Sequence, residues 1–189
     1  WVSFGACDPE GAGARDGGLF EALARYPESP TPPTLARPED IACICFTSGT
    51  SDRPKSVMHS FANYHCIGAQ TAYLWGLTAS DRVLEYRSFS WSSSHQVVLH
   101  PLLVGGGSVC FAKRYSQSRF FDWIRDYKPT ISIGIPTVVN MLLNRPISVE
   151  KSELAGLRFM SCSTSPLLNE QHRKFEEKYG IPLVQHYGM

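Results

Sequence analysis

The stretch FTSGTSDRPKSV, Phe46 to Val57, decides how this chain is read. Hydroxyl side chains, Gly49 and Lys55 crowd into a short loop. The loop follows Ile41 to Phe46, an apolar run with the composition of a buried strand. Backbone N–H groups around Gly49 and the hydroxyls of Thr47, Ser48, Thr50 and Ser51 can donate to phosphate oxygens, and Lys55 adds a positive charge. Such a loop suits a polyphosphate. Taken alone, it also fits a hydroxyl-rich surface turn with a solvated lysine. Gly49 to Ser56, GTSDRPKS, departs from the Walker A pattern only at Pro54, which stands where the second glycine belongs. Proline has neither the backbone freedom nor the N–H that this position needs, which disfavours a P-loop NTPase.

Working outward, strands and helices alternate. A helix is predicted from about His59 to Trp75, a strand at Arg82 to Tyr86, and a helix from Ser93 to Leu103 that ends at the triple glycine. Ser108 to Ala112 reads as a strand. Phe120, Phe121, Ile124 and Tyr127 recur at helical spacing until Lys128-Pro129 stops them. Strands follow at Thr130 to Ile133, Arg158 to Ser161 and Leu183 to Gln185. Between the last two, Leu168, His172, Phe175 and Tyr179 form one helix face, capped by Gly180. The reading is an α/β fold of alternating strands and helices around a largely parallel sheet. Ligands of such sheets bind at the carboxyl ends of strands, where the segments after Phe46, Ser161 and Gln185 are expected to lie.

Composition narrows the function classes. The 18 basic and 17 acidic residues nearly balance, which gives no support for nucleic acid or an anionic membrane as a partner. No run of about 18 apolar residues exists to span a membrane. Six cysteines are present, but none forms a C-x-x-C pair or sits near histidines at zinc-finger spacing, so no metal site is expected. Cys43, Cys45 and Cys110 lie in apolar strand-like runs, where cysteine acts as a small hydrophobe. Reduced core cysteines point to a cytoplasmic protein. Residues 1–38 read as loop and proline-rich linker from an upstream subdomain, and residues 39–189 as a partial domain.

Phe46 to Val57 closely resembles the signature TSGTTGxPKGV of the adenylate-forming (AMP-binding) superfamily, which includes acyl-CoA synthetases, nonribosomal adenylation domains and luciferases. Thr47, Ser48, Gly49, Thr50, Pro54, Lys55 and Val57 match, and Ser51 replaces threonine. Three later segments fall in the family's order. They are YKPTISIGIPTVVNMLL (Tyr127 to Leu143), CSTSPL (Cys162 to Leu167, resembling SGAAPL) and QHYGM (Gln185 to Met189, resembling the start of YGxTE). On this resemblance the chain is an incomplete fragment of the large N-terminal domain of an adenylate-forming enzyme. The family's glutamate after YGx, its ribose-binding aspartate and its small C-terminal domain are expected beyond the chain.

The resemblance implies ATP-dependent activation of a carboxylic acid as acyl-adenylate, then thioester formation, with ATP, Mg²⁺ and coenzyme A as cofactors. By analogy Thr47 and Lys55 are catalytic. Thr47 to Ser51 with Lys55 would embrace the phosphates, Ser163, Thr164 and Ser165 would line the adenine site, and Tyr187 would stack on the base beside Gly188. His186 is a candidate ligand contact. Trp91 and His95 are candidates for the acyl pocket, though Trp91 also fits the core and His95 a helix face. Trp75, Trp123 and Phe89 are assigned to the core. Asp52 and Ser56 replace family glycines, which favours a rival reading as a degenerate, non-catalytic nucleotide binder. A domain loading a carrier protein is a further alternative.

Overall fold

The computed structural model describes residues 35–47 and 53–188, which divide into two compact units at Tyr64/His65. In the first unit β1 (Ile41–Phe46) pairs antiparallel with β2 (Ser56–Ser60), with Cys43 opposite His59 and Cys45 opposite Val57. This corrects two expectations. β1 belongs to its own two-stranded sheet, and its apolar residues are not buried: Phe46 is 71% exposed and Ile44 52%. The predicted helix from His59 starts later, as α1 (Phe61–Trp75), because Ser56 to Ser60 are taken up by β2.

The second unit is built on a five-stranded sheet of β3 (Arg82–Glu85), β4 (Ser108–Phe111), β5 (Ile131–Ser132), β6 (Phe159–Cys162) and β7 (Leu183–Gln185). The spatial order is β4-β3-β5-β6-β7 and every pair is parallel. The chain moves from β3 outward to β4, then crosses back to β5 on the other side. That reversal is a topological switch point, where open parallel sheets bind ligands.

Alternation along the strands separates two cores. Val83, Val109, Ile131 and Phe159 join Trp75, Val98 and Leu102 in one, facing α1 and the helical run after β3. That run consists of α2 (Ser92–Ser94), a π-helical segment (His95–Leu99) and α3 (His100–Gly105), capped by Gly106 at φ 78°. Leu84, Cys110, Met160 and Leu183 point the other way. There they meet Phe120, Phe121, Leu142 and Phe175 of α4 (Gln117–Tyr127), α5 (Pro136–Asn144) and α6 (Asn169–Tyr179). Both faces are therefore covered, which explains why these strands read as apolar runs without a polar face. α1 packs closely because residue 68 is glycine. A Cβ there would lie 2.1 Å from Cδ2 of His100.

Asp81 pins the amino ends of three strands. Its Oδ1 accepts from Thr130 Oγ1 (2.6 Å) and Arg158 Nη1 (2.7 Å), and its Oδ2 accepts from the Thr78 N–H (2.9 Å). Burial pushes the carboxyl up, but the hydrogen bonds from Thr130, Arg158 and Thr78 outweigh it and hold it below the usual range. A depressed native value contributes stability above the unfolded value, about 3.9, and that stability is lost as pH falls through the native one. Wild-type protein should therefore lose more stability than Asp81→Asn between pH 5 and pH 3, measured by urea midpoints. Parallel pH profiles would contradict this.

Candidate active site

The carboxyl ends of β6 and β7 bring two turns together. Cys162 pairs with Gln185, and the His186 N–H extends the ladder by donating to the Cys162 carbonyl at 3.1 Å. The turns enclose a cavity of about 440 Å³ lined by Thr164, Ser165, Pro166, His186, Tyr187 and Gly188, with Gln185 at its base. Ser163 is half-buried just before them. Thr164, Ser165, His186, Tyr187 and Gly188, which the sequence assigned to one site, thus share one cavity.

The linings differ in chemistry. Tyr187 is 89% exposed, leaving its ring free to stack, and a Cβ at Gly188 would meet nothing within 4 Å. His186 turns inward, its ring 6.0 Å from that of Trp75 in edge contact. Its Nε2 is buried with no hydrogen-bond partner among the described residues. Burial, and then the positive charge of Arg87, lower its pKa, so the imidazole is neutral at pH 7. The Gln185 amide is held by His172 at 2.9 Å, which is itself 3.1 Å from Glu176.

Thr164 adopts φ 81°, in the left-handed region that a β-branched residue rarely enters. Such strain costs on the order of 1–3 kcal/mol and concentrates at functional sites. Thr164→Gly should raise stability by about 1 kcal/mol in urea unfolding. A lower midpoint would mean that the threonine side chain contributes more than the strain costs.

A second cavity, of about 500 Å³, lies at the carboxyl ends of β3 and β4. Arg87, Ser88, Phe89, Leu99, Phe111 and Lys113 line it. Phe89, expected in the core, is only half-buried and forms a wall, stacked edge-on against Phe111 at 4.4 Å. Of the two predicted pocket residues, His95 acts from behind that wall, with its ring 5.6 Å from Phe89 and Nε2 bonded to the Phe89 carbonyl. Trp91 is 50% exposed and does not line the cavity. Trp75 and Trp123 are buried, as the sequence suggested. The π-helical segment that carries His95 and Leu99 is an irregularity often found at functional sites.

Sequence reasoning missed Glu85 and Arg87. Glu85 is fully buried at the end of β3, and its Oε2 lies 2.7 Å from Arg87 Nη2. The Arg87 N–H also donates to Glu85 Oε1 at 2.8 Å, and Nη1 donates to Ser93 Oγ at 3.0 Å. The available signal was a carboxylate set inside the apolar run VLEY, two residues before an arginine.

The residues expected to form a phosphate loop lie in the other unit. The Thr47 N–H donates to the Lys55 carbonyl (2.9 Å), and the Lys55 N–H donates to Thr47 Oγ1 (3.2 Å). This clamp ties together the two ends of the loop, and the Lys55 side chain is exposed. Ser48, Gly49, Thr50 and Ser51, with Asp52, lie outside the described residues.

A sequence profile of the AMP-binding enzyme family matches residues 7–189. This chain belongs to the AMP-binding enzyme family. A sulfoacetate–CoA ligase from Cupriavidus necator is 32% identical over 93% of the chain and 34% of its own length. An acetyl-coenzyme A synthetase from Coprinopsis cinerea is 28% identical over 88% of the chain and 26% of its own length. Among solved structures, ATP-bound MatB from Rhodopseudomonas palustris superposes with a TM-score of 0.75 at 26% identity, over 81% of this chain and 30% of that one. The chain thus spans about a third or less of the length of these relatives.

Proposed function

We propose that the protein carrying this chain activates a carboxylic acid with ATP, forming an acyl-adenylate and pyrophosphate, and then passes the acyl group to coenzyme A as a thioester. The observation that carries this is the cavity between Thr164–Pro166 and His186–Gly188 in a chain of the AMP-binding family. It offers an exposed aromatic ring, an open glycine and the exposed hydroxyl residues Thr164 and Ser165, a set suited to a nucleobase. The ATP-bound neighbour, the sulfoacetate–CoA ligase and the acetyl-coenzyme A synthetase support the same choice of substrates. We assign the phosphates to Thr47, Ser48, Gly49, Thr50, Ser51 and Lys55, the base to Ser163, Thr164, Ser165, His186, Tyr187 and Gly188, and the acid to the neighbourhood of His95 and Trp91.

The first step brings an anionic nucleophile to an anionic triphosphate, so charge must be neutralised around the phosphates. Lys55 and the loop N–H groups are suited to that. Mg²⁺ would share the work, but no cluster of three His, Cys, Asp or Glu side chains that could hold a metal exists among the described residues. No helix among the described residues is long and apolar enough to cross a membrane.

The test is ATP–pyrophosphate exchange by the protein carrying this chain, across a panel of short, branched and aromatic acids, followed by thioester formation with coenzyme A. Exchange that requires one acid class, with a coenzyme A thioester as product, is expected. Phosphate release without need of an acid, or ATP binding without exchange, would overturn the reading.

A further inference from the structure

Cys43 and Cys45 sit two residues apart on β1, on one face, with their Sγ atoms 3.9 Å apart. Both are half-buried rather than sealed in a core, in contrast to Cys110 and Cys162. The strand leads directly from this pair to Phe46 and then to Thr47, whose N–H and Oγ1 form the clamp with Lys55. A two-residue step along a strand spans about 6.5 Å between Cα atoms, close to the upper limit of about 6.8 Å for a disulfide. The sulfurs would have to close to about 2.05 Å, so the bond can form only if the strand bends. The ladder is already irregular between Ile41 and Cys43, which gives slack on the amino side. On the other side Cys45 is in register with Val57 and Phe46 with Ser56, and this unbroken ladder runs on into the Thr47–Lys55 clamp, so a displacement of Cys45 is carried along it to the clamp.

We propose that Cys43 and Cys45 form a reversible dithiol–disulfide site, and that its closure loosens the Thr47–Lys55 clamp at the mouth of the loop. The oxidant is a low-molecular-weight disulfide such as glutathione disulfide. The Cys45 thiolate attacks one glutathione sulfur, breaking the S–S bond, forming a mixed disulfide and releasing one glutathione. The Cys43 thiolate then attacks Cys45 Sγ, closing the intrastrand bond and releasing the second glutathione. Two protein thiols are oxidised and one glutathione disulfide is reduced to two glutathiones, which carry away the protons. Burial and the neighbouring Cys45 raise the pKa of the Cys43 thiol. A strained bond of this kind is easily reduced and belongs to the labile, regulatory class. This site does not depend on what the loop binds.

The full chain would be equilibrated in glutathione buffers of increasing oxidation, alkylated without reductant and mapped by mass spectrometry, with amide exchange followed at Thr47 and Lys55. Loss of two hydrogens from the peptide holding Cys43 and Cys45 is expected, reversed by dithiothreitol and accompanied by at least tenfold faster exchange of both amides. Cys43→Ser should instead trap a glutathione adduct on Cys45, while the exposed Cys66 gives only mixed disulfide in every variant. Thiols at 43 and 45 that stay alkylatable, or that carry glutathione without closing, would overturn the site. A closed bond that leaves the two amides unchanged would overturn its coupling to the clamp.

Discussion

Replacing Glu85 by alanine should destabilise the five-stranded unit by about 3–5 kcal/mol, the range for removing one partner of a buried ion pair. Glu85 is fully buried and the Arg87 side chain is only 7% exposed, so removing the carboxylate strips the guanidinium of its charged partner inside the fold. The guanidinium would lose its contacts to Oε1 and Oε2 and keep Ser93 as its hydrogen-bond partner. A buried cation left that way is costlier than the ion pair was favourable. The double variant Glu85→Leu with Arg87→Met should therefore recover much of the loss, because it removes both charges at similar volume. Urea unfolding of the three proteins measures this. A loss under about 1 kcal/mol for Glu85→Ala would mean that the pair behaves as a surface salt bridge. The pair also holds Arg87 as a wall of the second cavity and as a charge acting on His186, so a change here reaches both cavities.

Lys55→Ala and Thr47→Ala, made in the protein carrying this chain, should each slow acid-dependent ATP–pyrophosphate exchange by about 5- to 150-fold, or 1–3 kcal/mol. The two changes act differently. Lys55 contributes a charge from an exposed side chain, so its loss should weaken ATP binding in a salt-dependent way. Thr47 contributes the Oγ1 that receives the Lys55 N–H, so its loss should loosen the loop's closure and persist at high salt. Because Thr47 Oγ1 holds the Lys55 backbone, loss of Thr47 also displaces the Lys55 charge, so the double variant should cost less than the sum of the two. Unchanged exchange in both single variants would remove the loop from the site.

The parallel sheet was legible because its strands are short apolar runs punctuated by glycine and proline. Leu183 to Gln185 was placed to the residue, and Gly180 was read as the cap of α6, where it adopts φ 68°. β1 has its predicted bounds, Ile41–Phe46, but not the predicted burial, for a physical reason. Ile41, Ile44 and Phe46 make an apolar strand whether or not anything covers them, and composition cannot tell a covered face from an open one. β2 was missed because Ser56 to Ser60 is a strand only by virtue of pairing with β1, a contact that local pattern does not encode. The turn residues after β6 and β7 were found from a motif. The strain at Thr164 and the inward turn of His186 depend on how those turns pack and were not visible in the sequence. Phe89 read as core because an aromatic side chain lining a cavity has the same composition signal as one filling it.

The measurement that tests the account most directly follows an oxygen atom. A responsive acid labelled with ¹⁸O in its carboxylate would be turned over by the protein carrying this chain with ATP and coenzyme A, and the nucleotide product analysed by mass spectrometry. If the carboxylate attacks the α-phosphate, the product is AMP carrying one ¹⁸O per turnover, with pyrophosphate and a coenzyme A thioester beside it. ADP with labelled phosphate, or unlabelled AMP, would place the attack elsewhere and contradict the adenylate.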